Sequence, residues 1–143
     1  MRKRRRARQR HVVSRVLDAS ALLAVVLQEP GAARVEQEIL DDSFIGAVNF
    51  AEVVTTMLVR GSSEADVRAI LGNISVEIVP FDEELAYRAG LLRPATRAAG
   101  LSLGDRACLA LAERLSLPAM TSDRVWATLQ LDTQLGIQVD VFR

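Results

Sequence analysis

The apolar positions of this chain change repeatedly between a strand-like period and a helical one. Short apolar runs predict five strands, at 12–17, around 44–45, at 76–81, at 118–122 and at 137–142. Helical patterns separate these runs. Strands interleaved with helices favour an α/β fold in which a mostly parallel five-stranded sheet is covered by helices on both faces.

The clearest helical pattern lies before Gly61, which is expected to end it. Its apolar residues recur at the spacing i, i+3, i+4, i+7 and i+8, and they are Phe50, Val53, Val54, Met57 and Leu58. Further helices are predicted over 20–28, 32–40, 82–99, 103–115 and 123–130. Another is expected to run from a cap at Ser62 or Ser63 to Leu71. Pro94 is expected to kink or break its helix.

Cysteine and histidine, which carry much of protein catalysis, occur once each among the 143 residues. Cys108 lies in the apolar run CLALA, which predicts a buried core thiol, and a single cysteine excludes an intramolecular disulfide. His11 lies in a basic leader outside any apolar pattern. Catalytic Ser/His and Cys/His pairs and zinc sites of the Cys/His kind are therefore effectively excluded. The chain is expected to be a cytoplasmic protein with one compact domain.

The formal net charge is zero, but it conceals a strong division along the chain. Residues 1–15 hold 8 of the 18 basic side chains and no acid. The remainder carries 10 basic and 18 acidic side chains, a net charge of −8. An acidic body whose carboxylates converge needs a cationic partner or bound cations.

The basic leader precedes apolar residues, so it has to be tested as a targeting signal. Arg15 and Asp18 interrupt the apolar stretch, and the remaining ASALLAVVL is too short to span a membrane. Residues 1–11 are therefore predicted to be either a disordered basic tail that adds affinity for phosphate backbones or a segment before the true start. Residues 12–143 are predicted to form the folded domain.

Two aspartates directly follow predicted strands. Asp18 follows the first strand, in LDASALLA, and Asp123 follows the fourth, in MTSDRVW. Ligand sites of open parallel sheets form outside the carboxyl ends of the strands, where the strand order reverses. If the first and fourth strands flank that point, the two aspartates face each other across the crevice. Helix capping is the alternative interpretation of both residues.

Two further acids belong to predicted helices. Glu52 lies three residues after Asn49, so both side chains project from one side of the amphipathic helix. A carboxylate beside an apolar helical face is costly, which makes a purely structural role hard to accept for Glu52. Asp105 opens the helix LGDRACLALA, where the helix dipole alone would favour an acid.

Four carboxylates that converge without histidine or cysteine suit hard divalent cations such as Mg²⁺ or Mn²⁺. These ions cancel the mutual repulsion of the acids, activate water and stabilise the leaving oxygen of a phosphodiester. The sequence therefore predicts a metal-dependent nuclease with an acidic site formed by Asp18, Glu52, Asp105 and Asp123.

Four segments of the chain carry a resemblance to a known family, and they are LDASALLA, AVNFAEV, LSLGDRACLALA and MTSDRVW. In order and spacing they resemble the PIN-domain nucleases, and most of all the VapC-type toxins of bacterial toxin–antitoxin pairs. The similarity covers nearly all of residues 12–143. It implies a three-layer α/β/α sandwich, Mg²⁺ or Mn²⁺ as cofactor, and endoribonuclease activity. It also implies a homodimer and a cognate antitoxin as partner.

The resemblance assigns roles residue by residue. Asp18, Glu52 and Asp105 correspond to the metal-binding acids of the family, and Asp123 to a fourth, more variable acid. Asn49 and Thr121 match polar residues that support those acids, and Ser20 is a candidate for orienting Asp18. The arginine-rich leader departs from the pattern, because such toxins commonly begin at the first strand.

Weaker candidates lie beside the acids. Arg106 and Arg124 are predicted either to bind substrate phosphates or to be exposed helix residues. Trp126 and Tyr87 are expected to pack in the core rather than to stack on bases. A noncatalytic RNA-binding or regulatory module on the same fold is the alternative function. A phosphatase with Asp18 as nucleophile is disfavoured, because no second aspartate stands two positions further on.

Overall fold

A computed structural model describes residues 14–39 and 42–143 of the chain. Its helices are α1 (Ala19–Val26), α2 (Ala32–Ile39), α3 (Ala47–Val59), α4 (Glu64–Gly72), α5 (Glu83–Leu91), α6 (Arg93–Thr96), α7 (Leu103–Leu115) and α8 (Leu131–Leu135). Its strands are β1 (Val16–Leu17), β2 (Phe44–Gly46), β3 (Glu77–Val79), β4 (Ala119–Thr121) and β5 (Val139–Val141). A 3₁₀ helix covers Arg124–Leu129. The predicted leader, His11 and the start of the predicted first strand lie outside the described residues.

The five strands form one sheet in the order β3-β2-β1-β4-β5. All four pairings are parallel, so the described sheet is wholly parallel where the sequence predicted a mostly parallel one. In register, Leu17 of β1 pairs with Ile45 of β2 on one side and with Met120 of β4 on the other. After β1, the chain adds β2 and β3 on one side of it, and then adds β4 and β5 on the other side. The reversal of strand order lies between β1 and β4, as the sequence analysis required.

Apolar side chains cover both faces of the sheet, because successive residues of a strand point to opposite sides. Val16 belongs to the core beneath α5 and α7, whereas its neighbour Leu17 belongs to the core beneath α1 to α4. Trp126 completes the first core and is buried, with 1% of its surface exposed. The predicted α/β fold with helices on both faces is confirmed.

Local sequence explains where several helices begin and end. Ser63 caps α4, since its side chain accepts a hydrogen bond from the N–H of Asp66 at 3.1 Å. The predicted break near Pro94 occurs at Leu92, between α5 and α6. Three strands, β3, β4 and β5, are shorter than predicted at both ends, whereas β1 ends at Leu17 as predicted.

Cys108 and Tyr87 were both predicted to lie in the core, but only Cys108 is buried. Cys108 is fully buried, as predicted, and burial raises the pKa of its thiol well above the usual range, which disfavours a nucleophilic thiolate. Tyr87 is 62% exposed on α5, so its predicted core packing is wrong. A ring that was expected to fill the core instead lies on the surface of the α5 side. No helix in the described part of the chain is long and apolar enough to cross a membrane.

Candidate active site

Asp18 lies where β1 ends, at the reversal of strand order. Its main-chain N–H donates to the carbonyl of Met120, which fixes it against β4. Its carboxylate accepts three hydrogen bonds: Ser20 Oγ at 2.6 Å and the N–H of Ala21 at 3.0 Å on Oδ1, and Thr121 Oγ1 at 2.6 Å on Oδ2. Asp18 is therefore the cap of α1, as the alternative interpretation held, and its carboxylate also lies at the crevice between β1 and β4.

The two hydroxyls that donate to Asp18 are themselves oriented by the main chain after β4. Ser20 Oγ accepts from the N–H of Ser122, and Thr121 Oγ1 accepts from the N–H of Asp123, each at 3.0 Å. Each hydroxyl therefore uses its own proton for the carboxylate and a lone pair for the loop. The supporting roles of Ser20 and Thr121 stay predictions, and these are the contacts that such roles require.

Asn49 connects the acid of α3 to the start of α7. It is buried, and its Nδ2 donates to Glu52 Oε1 at 3.2 Å and to the carbonyl of Gly104 at 3.0 Å. Its Oδ1 has no hydrogen-bond partner in the described part of the chain. The amide thus holds Glu52 against the first turn of the neighbouring helix.

Gly104 provides the space that the Glu52 carboxylate occupies. A Cβ built on Gly104 would lie 2.8 Å from Cδ and 3.0 Å from Oε2 of Glu52, and closer still to Oε1. These separations are shorter than any ordinary van der Waals contact. Glu52 is exposed as a residue, but its carboxylate packs directly on the α7 backbone.

Asp105 occupies the third position of α7 and forms a capping box with Ser102. The N–H of Asp105 donates to Ser102 Oγ at 3.2 Å, and the N–H of Ser102 donates to Asp105 Oδ2 at 2.9 Å. Helix stabilisation therefore accounts for one of its oxygens. Oδ1 has no hydrogen-bond partner among the residues described, so it remains available to a ligand.

The three acids influence one another electrostatically. Burial raises the pKa of Asp18 above its usual value, its hydrogen bonds from Ser20 and Thr121 offset part of this effect, and the charge of Asp105 raises it further. Burial of the carboxylate also raises the pKa of Glu52, and the charges of Asp105 and Asp18 add to it. Asp18, Glu52 and Asp105 thus form one cluster of like charges, which we call the acid cluster.

Asp123 stands beside the acid cluster without joining it. It is exposed, and its Oδ1 accepts the N–H of Val125 at 3.0 Å, which caps the 3₁₀ helix. Its link to Asp18 runs through the hydroxyl of Thr121. The role of Asp123 as a fourth acid stays a prediction. Its hydrogen bond from Val125 is the capping contact that the alternative interpretation expects.

The two arginines that follow site acids differ in their surroundings. Arg106 is half-buried, and its Nη1 donates to the carbonyl of Ala89 on α5 at 2.9 Å, so the prediction of an exposed helix residue is wrong for it. Its Nε is buried and has no partner in the described ranges. Arg124 is exposed and donates to the carbonyl of Arg143 at 3.4 Å. Phosphate binding by either residue stays a prediction.

The donor set of the acid cluster fits a hard divalent cation. All of its groups are carboxylates, and the like charges that raise two of the pKa values would be balanced by an ion. Within residues 14–39 and 42–143, no three side chains of Asp, Glu, His or Cys are close enough to form a ready-made metal site.

Sequence reasoning missed two residues of the site, Gly104 and Ser102. Ser102 could have been found, because a serine three residues before Asp105 is the pattern of a capping box. Gly104 could not, since its importance depends on the approach of Glu52 from a different helix. A glycine in the first turn of an otherwise regular helix was the only local signal.

A wholly parallel sheet between helical layers, with Asp18 at the carboxyl end of β1, defines an α/β protein whose ligand site is expected at the reversal of strand order. The chain belongs to the PIN domain family, whose model matches residues 15–130. The family is one of nucleases that generally use divalent metal ions, which places the chain among hydrolases acting on nucleic acids. The resemblance found in the sequence is thus confirmed. No curated protein sequence matches the chain.

Several solved structures share the fold. A chain of a toxin–antitoxin complex from Klebsiella pneumoniae is 20% identical, with a TM-score of 0.64 over 87% of this chain and 95% of that one. A chain of DNA-bound VapBC from Salmonella typhimurium is 16% identical, with a TM-score of 0.66 over 90% of this chain and 97% of that one. A chain of FitAcB from Neisseria gonorrhoeae is 21% identical, with a TM-score of 0.60 over 87% of this chain and 94% of that one. At these identities the likeness concerns the fold.

Proposed function

We propose that this protein is an endoribonuclease dependent on Mg²⁺ or Mn²⁺, with Asp18, Glu52 and Asp105 as metal ligands and Asp123 as a fourth acid. The observation that carries the proposal is the acid cluster at the crevice between β1 and β4, where burial and the charges of neighbouring acids raise the pKa of Asp18 and of Glu52. Such mutual repulsion is costly unless a cation or a proton offsets it. The proposed nuclease domain spans residues 12–143.

When bound, a hard divalent ion would supply a Lewis acid that activates water and neutralises charge on the phosphodiester. Ser20 and Thr121 donate to both oxygens of Asp18, which keeps that carboxylate in one orientation. Asn49 restrains Glu52, and the N–H of Ser102 restrains Asp105. Each acid would therefore meet the ion with its side-chain entropy already reduced.

We further propose that the protein is the toxin of a toxin–antitoxin pair, acts as a homodimer and works in the cytoplasm. Toxin–antitoxin complexes among the solved structures of this fold support the first part. The net charge of −8 after residue 15 supports a partner with a basic segment that enters the crevice. Expression of the chain should arrest growth, and coexpression of a cognate antitoxin should restore it. Growth arrest by the Asp18→Asn variant would contradict the toxin role.

RNA cleavage by the purified full chain tests the enzymatic proposal. Wild type should cleave total RNA with Mg²⁺ or Mn²⁺ and not with a chelator, and Asp18→Asn and Asp105→Asn should each lose the activity. Asp66→Asn is the matched control, because Asp66 is also the third residue of a serine-capped helix but lies outside the crevice. Cleavage that survives Asp105→Asn would remove the proposed site. RNA binding without metal-dependent cleavage by wild type would favour the noncatalytic alternative.

A further inference from the structure

Most arginine side chains of the described residues form an ion pair or a hydrogen bond within the protein. Residues 14–143 contain 11 arginines and no lysine. Six form ion pairs with acids, and these are Arg15, Arg34, Arg68, Arg88, Arg114 and Arg143. Arg106 and Arg124 donate to main-chain carbonyls. Within the described ranges, three arginines are exposed and have side chains that form no ion pair or hydrogen bond, and these are Arg60, Arg93 and Arg97.

Two of these three cations share one short helix. Arg93 opens α6 and Arg97 directly follows it, so their spacing of i, i+4 places both on the same side. The helix itself is fixed, because Thr96 is fully buried and its Oγ1 donates to the carbonyl of Leu92 at 2.9 Å. The two guanidinium groups thus belong to an anchored helix, and no acid among the described residues forms an ion pair with either of them.

A short path of hydrogen bonds joins α6 to the acid cluster. The N–H of Leu101 donates to the carbonyl of Thr96 at 3.4 Å, and the N–H of the next residue, Ser102, donates to Asp105 Oδ2 at 2.9 Å. Consecutive main-chain nitrogens are at most about 3.6 Å apart, so the Thr96 carbonyl lies within about 10 Å of the Asp105 carboxylate. Arg97 is bonded directly to Thr96. An extended arginine side chain therefore ends within a few nucleotides' length of the site.

Binding of RNA beside an acidic crevice requires positively charged side chains close to it. Residues 14–143 carry a net charge of −7, and three carboxylates converge in the crevice, so the phosphates of a nucleic acid are repelled unless local cations hold them. Guanidinium groups bind phosphate oxygens through two parallel hydrogen bonds and do so without sequence preference. An exposed pair without internal partners suits this use.

We propose that Arg93 and Arg97 form a phosphate anchor that holds the backbone of single-stranded RNA beside Asp105. The inference rests on the proposed function, since it names the part of the surface that positions the substrate of that site. It assigns phosphate binding to α6 rather than to Arg106, whose guanidinium already donates to the carbonyl of Ala89.

The test is the salt dependence of RNA binding by the full chain. A labelled single-stranded RNA oligonucleotide is titrated with Asp18→Asn protein, which prevents cleavage, over a series of KCl concentrations at fixed Mg²⁺. Adding Arg93→Gln and Arg97→Gln should reduce the slope of log K against log salt by about 1.4, the value for two lost phosphate contacts on a single strand. The matched control is Arg60→Gln with Arg68→Gln, which changes the net charge equally at the end of α3 and on α4.

The control separates a local anchor from a general charge effect, and the basic leader contributes equally to all variants. A slope reduction confined to the α6 pair supports the anchor. Equal changes in both pairs, no change in either, or self-association that depends on the α6 pair while RNA binding does not, would each overturn it. Wild-type cleavage is scored separately: cleavage with an unaffected slope overturns the anchor alone, and an affected slope without cleavage overturns the nuclease alone.

Discussion

Replacing Gly104 with alanine should disable the site while leaving the fold intact. The added methyl group would stand 2.8 Å from Cδ of Glu52, where carbon atoms normally approach to about 3.5–4.0 Å. Gly104 is fixed in the α7 backbone beside its capping box, whereas Glu52 has three rotatable side-chain bonds. The carboxylate therefore moves, by about 0.7–1.2 Å, and its hydrogen bond from Asn49 is lost or lengthened.

The effects on stability and on the site should have different sizes. Alanine in place of a helical glycine stabilises a protein by roughly 0.5–1 kcal/mol, which offsets the cost of the new rotamer of Glu52. The free energy of unfolding should then change by less than about 1 kcal/mol. Displacing a group that supports or provides a metal ligand typically lowers metal affinity or activity by about 10–100-fold. Gly104→Ala should therefore be folded and nearly inactive.

Calorimetric titration with Mn²⁺, RNA cleavage and thermal unfolding measure the three quantities. Gly72→Ala and Gly90→Ala are matched controls, because both glycines are helical and an added Cβ at either would meet nothing within 4 Å. Both should be stabilised and unchanged in Mn²⁺ affinity. In a double-mutant cycle, Gly104→Ala should add little to Glu52→Ala if it acts through that carboxylate. Additive losses of Mn²⁺ affinity would refute the reasoning.

Three further results are expected. Without metal at pH 7, Asp18→Asn should be at least as stable as wild type. Because the pKa of Asp18 is raised in the folded protein, the free energy of unfolding of wild type falls as the pH rises above the unfolded pKa of this carboxyl group. Mn²⁺ at 100 times its Kd should reverse that order by stabilising wild type by about 2.7 kcal/mol, and thermal unfolding with and without the ion decides both points. Thr121→Val should cost about 1–3 kcal/mol in urea unfolding, since it leaves a buried acceptor of Asp18 without its donor, while Thr121→Ser should retain most of the stability. Arg114 lowers the pKa of Asp82 to about 2, so the pair stabilises the protein above pH 4 and loses that effect as the pH falls towards 2; acid titration of Asp82→Asn, monitored by circular dichroism, should lack this component. An acid transition identical to that of wild type would contradict it.

Sequence could predict the elements of the fold where local chemistry decides them. The limits of α7 were predicted residue for residue, because Asp105 marks its first turn and its apolar face is continuous. The break near Pro94 was predicted for a comparable reason. Strand ends were less accurate, since β3 occupies three residues of a predicted six, and the ends of a strand depend on neighbours that are distant in sequence.

The sequence grouped Asp18, Glu52 and Asp105, but it counted Asp123 with them and did not reveal which residues hold the Glu52 carboxylate. Asp18 and Asp105 were marked by their places at the end of a strand and the start of a helix, which sequence reveals. The packing of Glu52 on Gly104 depends on how α3 contacts α7. The two residues are 52 positions apart in the sequence, so the local pattern of residues 47–59 cannot reveal this contact. Tyr87 was misplaced for the same reason, because helical spacing specifies a face and not what that face contacts.

The hydrogen bond between Thr121 and Asp18 spans 103 positions of sequence and has a consequence for synthesis. A ribosome adds residues at about 5–20 per second, from the N-terminus onward. Asp18 therefore emerges several seconds before the hydroxyl that orients it, and β4 cannot pair with β1 until most of the chain has left the exit tunnel. The candidate site is consequently among the last parts of the molecule to be completed, and a molecule that meets the chain during synthesis meets it before Thr121 holds the Asp18 carboxylate.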